Sequence, residues 1–85
     1  MKVLIPGALR SYTERGDVEA NGATVGAVLA ELDRRYSGIR FRIVDEQDRI
    51  RRHIRLFVNG EQVRDLAQPL GAADELVIVQ ALSGG

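Results

Sequence analysis

Apolar positions along this chain change their spacing several times, and each change marks an element. Lys2 to Ile5 is a short β-branched and aliphatic run closed by Pro6-Gly7, which predicts an opening strand with a breaker behind it. Asp17 to Ala20 alternates polar and small apolar residues between Gly16 and Asn21-Gly22, and predicts a weak second strand, hairpin-paired with the first. From Thr24 to Tyr36 the spacing becomes helical. Val25, Val28, Leu29, Leu32 and Tyr36 form one stripe, while Glu31, Asp33, Arg34 and Arg35 fall between them. Thr24 is the expected N-cap, because its hydroxyl can accept a bond from a first-turn N–H that has no partner within the helix. A full capping box is absent, since Ala27 stands where Glu or Gln would be, and Gly38 can take the left-handed conformation past the last turn.

The stretch 39 to 53 has no clean period. Ile39, Phe41, Ile43 and Val44 are mixed with a charged run from Asp45 to His53, which predicts a long, polar and mobile connection. Ile54 to Val58 then alternates as a strand, with Ile54, Leu56 and Val58 on one face and Arg55 and Phe57 on the other. Asn59-Gly60 supplies the two positive-φ residues of a type I′ turn, so a hairpin into Glu61 to Arg64 follows. After Pro69-Leu70 and a turn-like Gly71 to Glu75, Leu76 to Leu82 is the most apolar strand and belongs in the sheet interior. Two strands, one main helix and then several strands predict an α+β domain whose helix packs across one face of a mixed sheet.

Composition narrows the function classes. Eighty-five residues, 45% of them hydrophobic, suit a single domain spanning residues 1–85, with no repeat or linker. Twelve basic residues balance twelve acids, so no long-range field points to nucleic acid or an anionic membrane. The charge is uneven, however: residues 40 to 55 carry six arginines against three acids, and residues 56 to 85 one arginine against four acids. Cysteine is absent, which excludes disulfides, thiolate metal sites and a sulfur-bearing cysteine on this chain. The apolar run at the N-terminus is too short for a signal peptide or a membrane span, and a cytoplasmic location is the default expectation.

Catalysis needs a nucleophile beside a base, a carboxylate pair or a metal cluster, and none is evident. His53 is the single histidine and reads as a strand-entry residue rather than a metal ligand or base. Asp45, Glu46 and Asp48 lack the spacing of a calcium loop and read as a solvated, salt-paired segment. Gly22, Gly26 and Gly38 do not make a phosphate-binding loop, so ATP is not expected to bind this chain. The basic stretch 49 to 55, with Arg49, Arg51, Arg52 and Arg55, supports one alternative: a non-catalytic binding module for RNA or an acidic protein. Interleaved acids, neutral net charge and few aromatic residues weigh against this alternative, and nucleic acid is not an expected partner.

The order strand-strand-helix-strands, the hairpin at Phe57-Val58-Asn59-Gly60, the final run Leu76-Val77-Ile78-Val79 and the terminal Gly84-Gly85 together resemble the ThiS/MoaD family of ubiquitin-like, β-grasp sulfur carriers. The stretch Arg52 to Arg64, after a long helix-to-strand connection, looks most like the CysO-type branch. The resemblance implies a carrier rather than an enzyme. Its C-terminal Gly85 would be adenylated by an E1-like adenylyltransferase of the ThiF/MoeB type, which uses ATP, and converted to a thiocarboxylate. A sulfur donor such as a rhodanese or cysteine desulfurase would supply the sulfur, and a downstream sulfur-accepting enzyme would use it for cysteine, thiamin, molybdopterin or another thio-metabolite. No cofactor is expected on the chain itself and no membrane partner.

Residues 81–85 would serve as a flexible tail in which Ser83 and Gly84 thread a partner's channel, since glycine permits close backbone approach. Extended, these five residues would reach about 15 Å. Counting back from the diglycine places Leu76 and Ile78 inward and Val77 and Val79 outward, which pattern alone leaves open. The expected core is then Val3, Ile5, Val25, Val28, Leu29, Leu32, Leu56, Val58, Leu76 and Ile78. Phe57 and Val79, with Arg55 at the rim and Leu82 beyond, are the expected docking surface for the adenylating enzyme, an aromatic beside an arginine being a suitable interface anchor. The alternative for Phe57 is packing beneath the 39 to 53 connection.

Overall fold

In the computed structural model, which describes residues 1–81, five strands form one mixed sheet: β1 (Lys2–Leu4), β2 (Asp17–Glu19), β3 (Ile54–Val58), β4 (Glu61–Val63) and β5 (Glu75–Gln80). Their order across the sheet is β2-β1-β5-β3-β4, with β1 and β5 parallel and every other neighbour antiparallel. The most apolar run is thus the central strand, as its sequence requires, because only an interior strand can cover both of its edges and one whole face. Val3 pairs with Leu76, and Leu56 with Ile78, and all four side chains are buried on the same face. The ten expected core residues are buried, Val77 is half-buried and Val79 is exposed, so the expected register of the last strand holds. The observed strands end one or two residues away from the expected ones, within the usual uncertainty of strand ends.

Across the inner face lies α2 (Val25–Arg35), whose Val25, Val28, Leu29 and Leu32 are completely buried. Thr24 caps it as expected, its Oγ1 accepting the Ala27 N–H at 3.1 Å. Two further first-turn donors find partners that the sequence pattern does not reveal: the Val25 N–H bonds the Gln68 carbonyl at 3.0 Å and the Gly26 N–H the Leu66 carbonyl at 2.8 Å. Glycine at position 26 lets the two backbones approach this closely, since a Cβ there would stand a tight 3.3 Å from that Leu66 oxygen. The 65 to 68 segment therefore acts as a backbone cap on the main helix.

Two helical pieces depart from expectation. Between the breaker and the second strand, where the spacing gave no element, a 3-10 turn at Gly7–Leu9 runs into α1 (Arg10–Thr13), and Leu9 and Thr13 are buried. The antiparallel pairing of β1 with β2 is as expected, but the connection is longer and structured. The stretch 39 to 53, expected to be a polar, mobile connection, begins instead with α3 (Ile39–Ile43), and Ile39, Ile43 and Val44 are completely buried. Gly38 adopts φ +98°, and Asp33 Oδ1 accepts the N–H groups of Gly38 and Arg40 at 3.1 Å each, so α2 itself anchors the start of α3. A bridge between Val44 and Ile50 closes the following loop, where Asp45 Oδ1 accepts the N–H groups of Gln47 at 2.9 Å and Arg49 at 3.0 Å. These backbone bonds, that from Arg49 first, hold the Asp45 carboxyl below its ordinary pKa.

Asn59 and Gly60 take φ values of +50° and +87°, the type I′ geometry expected of this dipeptide. The Asn59 side chain donates to Asp74 at 2.8 Å and accepts the Glu75 N–H at 3.0 Å, tying the hairpin to the start of β5. Asp74 also accepts the Gly71 N–H at 2.8 Å, and these bonds, the Gly71 one foremost, lower its pKa from the ordinary 3.8. A carboxyl whose pKa falls on folding stabilises the fold fully above its unfolded value, and that contribution is lost as pH drops through the depressed folded value. Asp74→Asn is therefore expected to flatten the acid limb of stability measured by urea unfolding between about pH 2 and pH 6. An unchanged acid limb would assign the pH dependence to other groups, Asp45 among them.

Candidate functional site

The sheet has a second face, turned away from α2 and α3, and the strand register determines what it shows. Leu4, Val77 and Phe57 are cross-strand neighbours on β1, β5 and β3, and form an apolar row of half-buried side chains. One step toward the end of β5, Val79 pairs with Arg55, Val79 being 38% exposed. At the opposite end the row is followed by Lys2 and Glu75, paired across β1 and β5. Apolar side chains lying side by side on three strands cover one another partly from water, which is why Phe57 is half-buried on an open face. The buried part of 39 to 53, namely Ile39, Ile43 and Val44, shares the core with Ile54, Leu56 and Val58. Phe57 therefore lies on the opposite side of β3 from that stretch, and does not pack beneath it.

Phe57, Val79 and Arg55 are thus brought together, and Leu4 and Val77 complete a patch that the sequence reading assigned only in part. The two-residue period would have found them, because Leu4 stands one position from buried Val3 and pairs with Val77. Arg55 is oriented by its own backbone surroundings: its Nη1 donates to the carbonyls of Arg52 at 2.6 Å and Ile54 at 3.1 Å. Gln80 pairs with Ile54, and the Ala81 N–H bonds the His53 carbonyl at 2.8 Å, so the root of the tail is held beside Val79 and Arg55. His53 contributes its backbone here, in keeping with a strand-entry role. The tail residues Leu82, Ser83, Gly84 and Gly85 lie outside the described residues. Among the described residues no cluster of His, Asp and Glu could hold a metal ion, and no helix is long and apolar enough to cross a membrane.

A five-stranded mixed sheet wrapped on one main helix, with the last strand in sequence at its centre and Ala81 held beside an apolar outer patch, is the ubiquitin-like β-grasp architecture. The chain belongs to the ThiS family, whose family model matches residues 3–85. It is 37% identical to the sulfur carrier protein CysO of Mycobacterium tuberculosis over 98% of this chain and 96% of that protein. The structure is similar to that of CysO in the Amycolatopsis orientalis BexX/CysO complex, with a TM-score of 0.91 and 38% identity over 99% of this chain and 98% of the other. It is also similar to the small archaeal modifier protein SAMP1 of Haloferax volcanii, with a TM-score of 0.80 and 27% identity over 100% and 98% of the two chains. The chain is accordingly a protein of the sulfur-carrier class rather than a catalyst.

Proposed function

We propose that the Gly85 carboxylate is the sulfur attachment point, adenylated by an E1-like partner of the ThiF/MoeB type and converted to a thiocarboxylate that donates sulfur to an acceptor enzyme. The observation that carries this reading is the arrangement at the end of β5, where Ala81 is anchored at His53 and the diglycine follows three residues later. A carboxylate is a poor electrophile. One of its oxygens attacks the α-phosphorus of ATP on the partner enzyme and expels pyrophosphate, leaving a mixed anhydride. A hydrosulfide then attacks the acyl carbon, AMP leaves with the C–O electron pair, and a thiocarboxylate remains. With a protein persulfide as donor, the first product is an acyl disulfide, which a second thiol cleaves. The carrier contributes the acyl group alone, in keeping with a chain that has no cysteine.

In this reading the partner docks on the outer face through Phe57 and Val79 with Arg55 at the rim, and Leu82, Ser83 and Gly84 lead into the active site. The solved complex of the Amycolatopsis CysO with BexX supports a protein partner for carriers of this kind. ATP belongs to the adenylating enzyme, and the carrier holds no cofactor of its own. Carrier-dependent ATP–pyrophosphate exchange by the adenylating enzyme tests both parts. Phe57→Ala is expected to raise the carrier concentration for half-maximal exchange about tenfold, with thermal unfolding lowered by about a few degrees at most. Val79→Asp, at an already exposed position, is expected to act in the same direction. Normal exchange in both variants, or a loss that follows loss of fold, would place docking elsewhere.

A further inference from the structure

On the flank of the sheet beside β4 lies a groove of about 910 Å³ that shares Arg55 alone with the outer-face patch. Six arginines line it, Arg40, Arg49, Arg51, Arg52, Arg55 and Arg64, against two acids, Asp48 and Asp65, in a protein of zero net charge. Two of the arginines face carboxylates, Arg40 with Asp48 at 2.9 Å and Arg49 with Asp45 at 4.0 Å. Arg51, Arg52, Arg55 and Arg64 form no ion pair among the described residues.

Three of these four are nevertheless held in place by neutral acceptors. Arg51 Nε donates to the Phe41 carbonyl at 2.6 Å and its guanidinium lies 4.5 Å from the Phe41 ring centre. Arg55 donates to two backbone carbonyls, and Arg64 Nη2 to the Gln62 side-chain oxygen at 3.1 Å. Neutral acceptors orient a guanidinium without cancelling its charge, so the groove presents a preorganised positive field. Half-buried Ile50 and Leu66 add apolar surface within it.

We propose that this groove docks an acidic segment of a partner protein, a run of Asp or Glu interspersed with apolar residues, carried by the enzyme that takes up the tail. The identity of that enzyme rests on the sulfur-carrier reading; the chemistry of the groove does not. Guanidinium groups bind carboxylates in bidentate fashion, and the excess positive charge sits around a partly apolar surface. The groove also reaches the root of the tail, since Arg52 and Arg55 flank His53, to which Ala81 is bonded. A partner that receives the tail is therefore in reach of the groove at the same time. RNA fits less well, because no lining residue is aromatic and single-stranded bases need stacking platforms.

The test uses the full chain, isotope-labelled for NMR, titrated with a synthetic peptide of repeating Glu-Glu-Leu, its Lys-for-Glu counterpart and oligouridylate. The acidic peptide is expected to shift amides of residues 49 to 55 and 62 to 67, and to lose about tenfold in affinity as salt rises from about 50 to 300 mM. The double variant R52E/R64E is expected to lose about tenfold or more, and R52Q/R64Q to lose less while guarding against misfolding by charge reversal. The proposal is overturned by equal binding in the variants, by shifts centred on Phe57, by no binding, or by oligouridylate binding the same amides more tightly. Removing Gly85 leaves the groove intact, so peptide binding by that truncated protein keeps the fate of this proposal separate from that of the thiocarboxylate.

Discussion

Incubated with its adenylating enzyme, ATP and a sulfur donor, the protein is expected to gain about 16 Da, the difference between one sulfur and one oxygen atom. Deleting Gly85, or adding a bulky residue after it, is expected to abolish the gain completely while the domain still unfolds at the same temperature. The reason is a separation of tasks. Stability resides in the buried face of the sheet and in α2, where side chains such as Val3, Leu29, Leu56 and Leu76 have no exposure at all. The described core is complete with β5, which ends at Gln80. Intact-mass spectrometry checks the first half of the expectation and calorimetry the second. A mass gain that persists without the diglycine would move sulfur attachment to another group and end the carrier mechanism proposed for Gly85.

Substitution of Ile43 by Ala is expected to be strongly destabilising although it lies outside the sheet and the main helix. Its side chain is completely buried beside Ile39 and Val44, so truncation removes transfer energy and leaves a cavity, about 2 to 5 kcal/mol in comparable sites. That is a large share of the roughly 5 to 15 kcal/mol that holds a small domain folded. Phe41→Ala serves as the contrast. Phe41 lies on the same short helix but is 53% exposed, and its replacement is expected to cost far less in urea unfolding. Equal effects at the two positions would mean that 39 to 53 behaves as the polar, mobile connection that its composition suggests, and that α3 is no part of the core.

Much of the fold was legible because its signals are local. Thr24 and the stripe through Leu32 announce a capped amphipathic helix, and Asn59-Gly60 announces its turn, since each depends on the φ preferences and spacing of a few adjacent residues. The edge of legibility is length. α1 has four residues and α3 five, less than the two turns over which a helical period can be recognised, and the charges at Arg40 and Arg42 mask the pair Ile39 and Ile43. Both pieces are helical because burial of Leu9, Ile39 and Ile43 against the rest of the core outweighs weak local propensity.

The sequence by itself determined the order of the strands and the main helix, the core face of β3 and of that helix, and the chemical poverty of the chain outside its tail: no cysteine, one histidine and a terminal diglycine. Tertiary structure alone decided what depends on strands and loops distant in the chain. The register of β5 between β1 and β3 assembled Leu4, Val77 and Phe57 into one patch, and the Ala81 bond to His53 placed the tail root beside it. Folding likewise brought residues 49 to 55 and 62 to 67 around a single groove, adding Arg64 to the basic run that the sequence shows and giving it a shaped surface. The physical reason is that a periodic pattern records which side of an element meets the core, but which other elements stand beside it is decided only when the sheet closes over the helix.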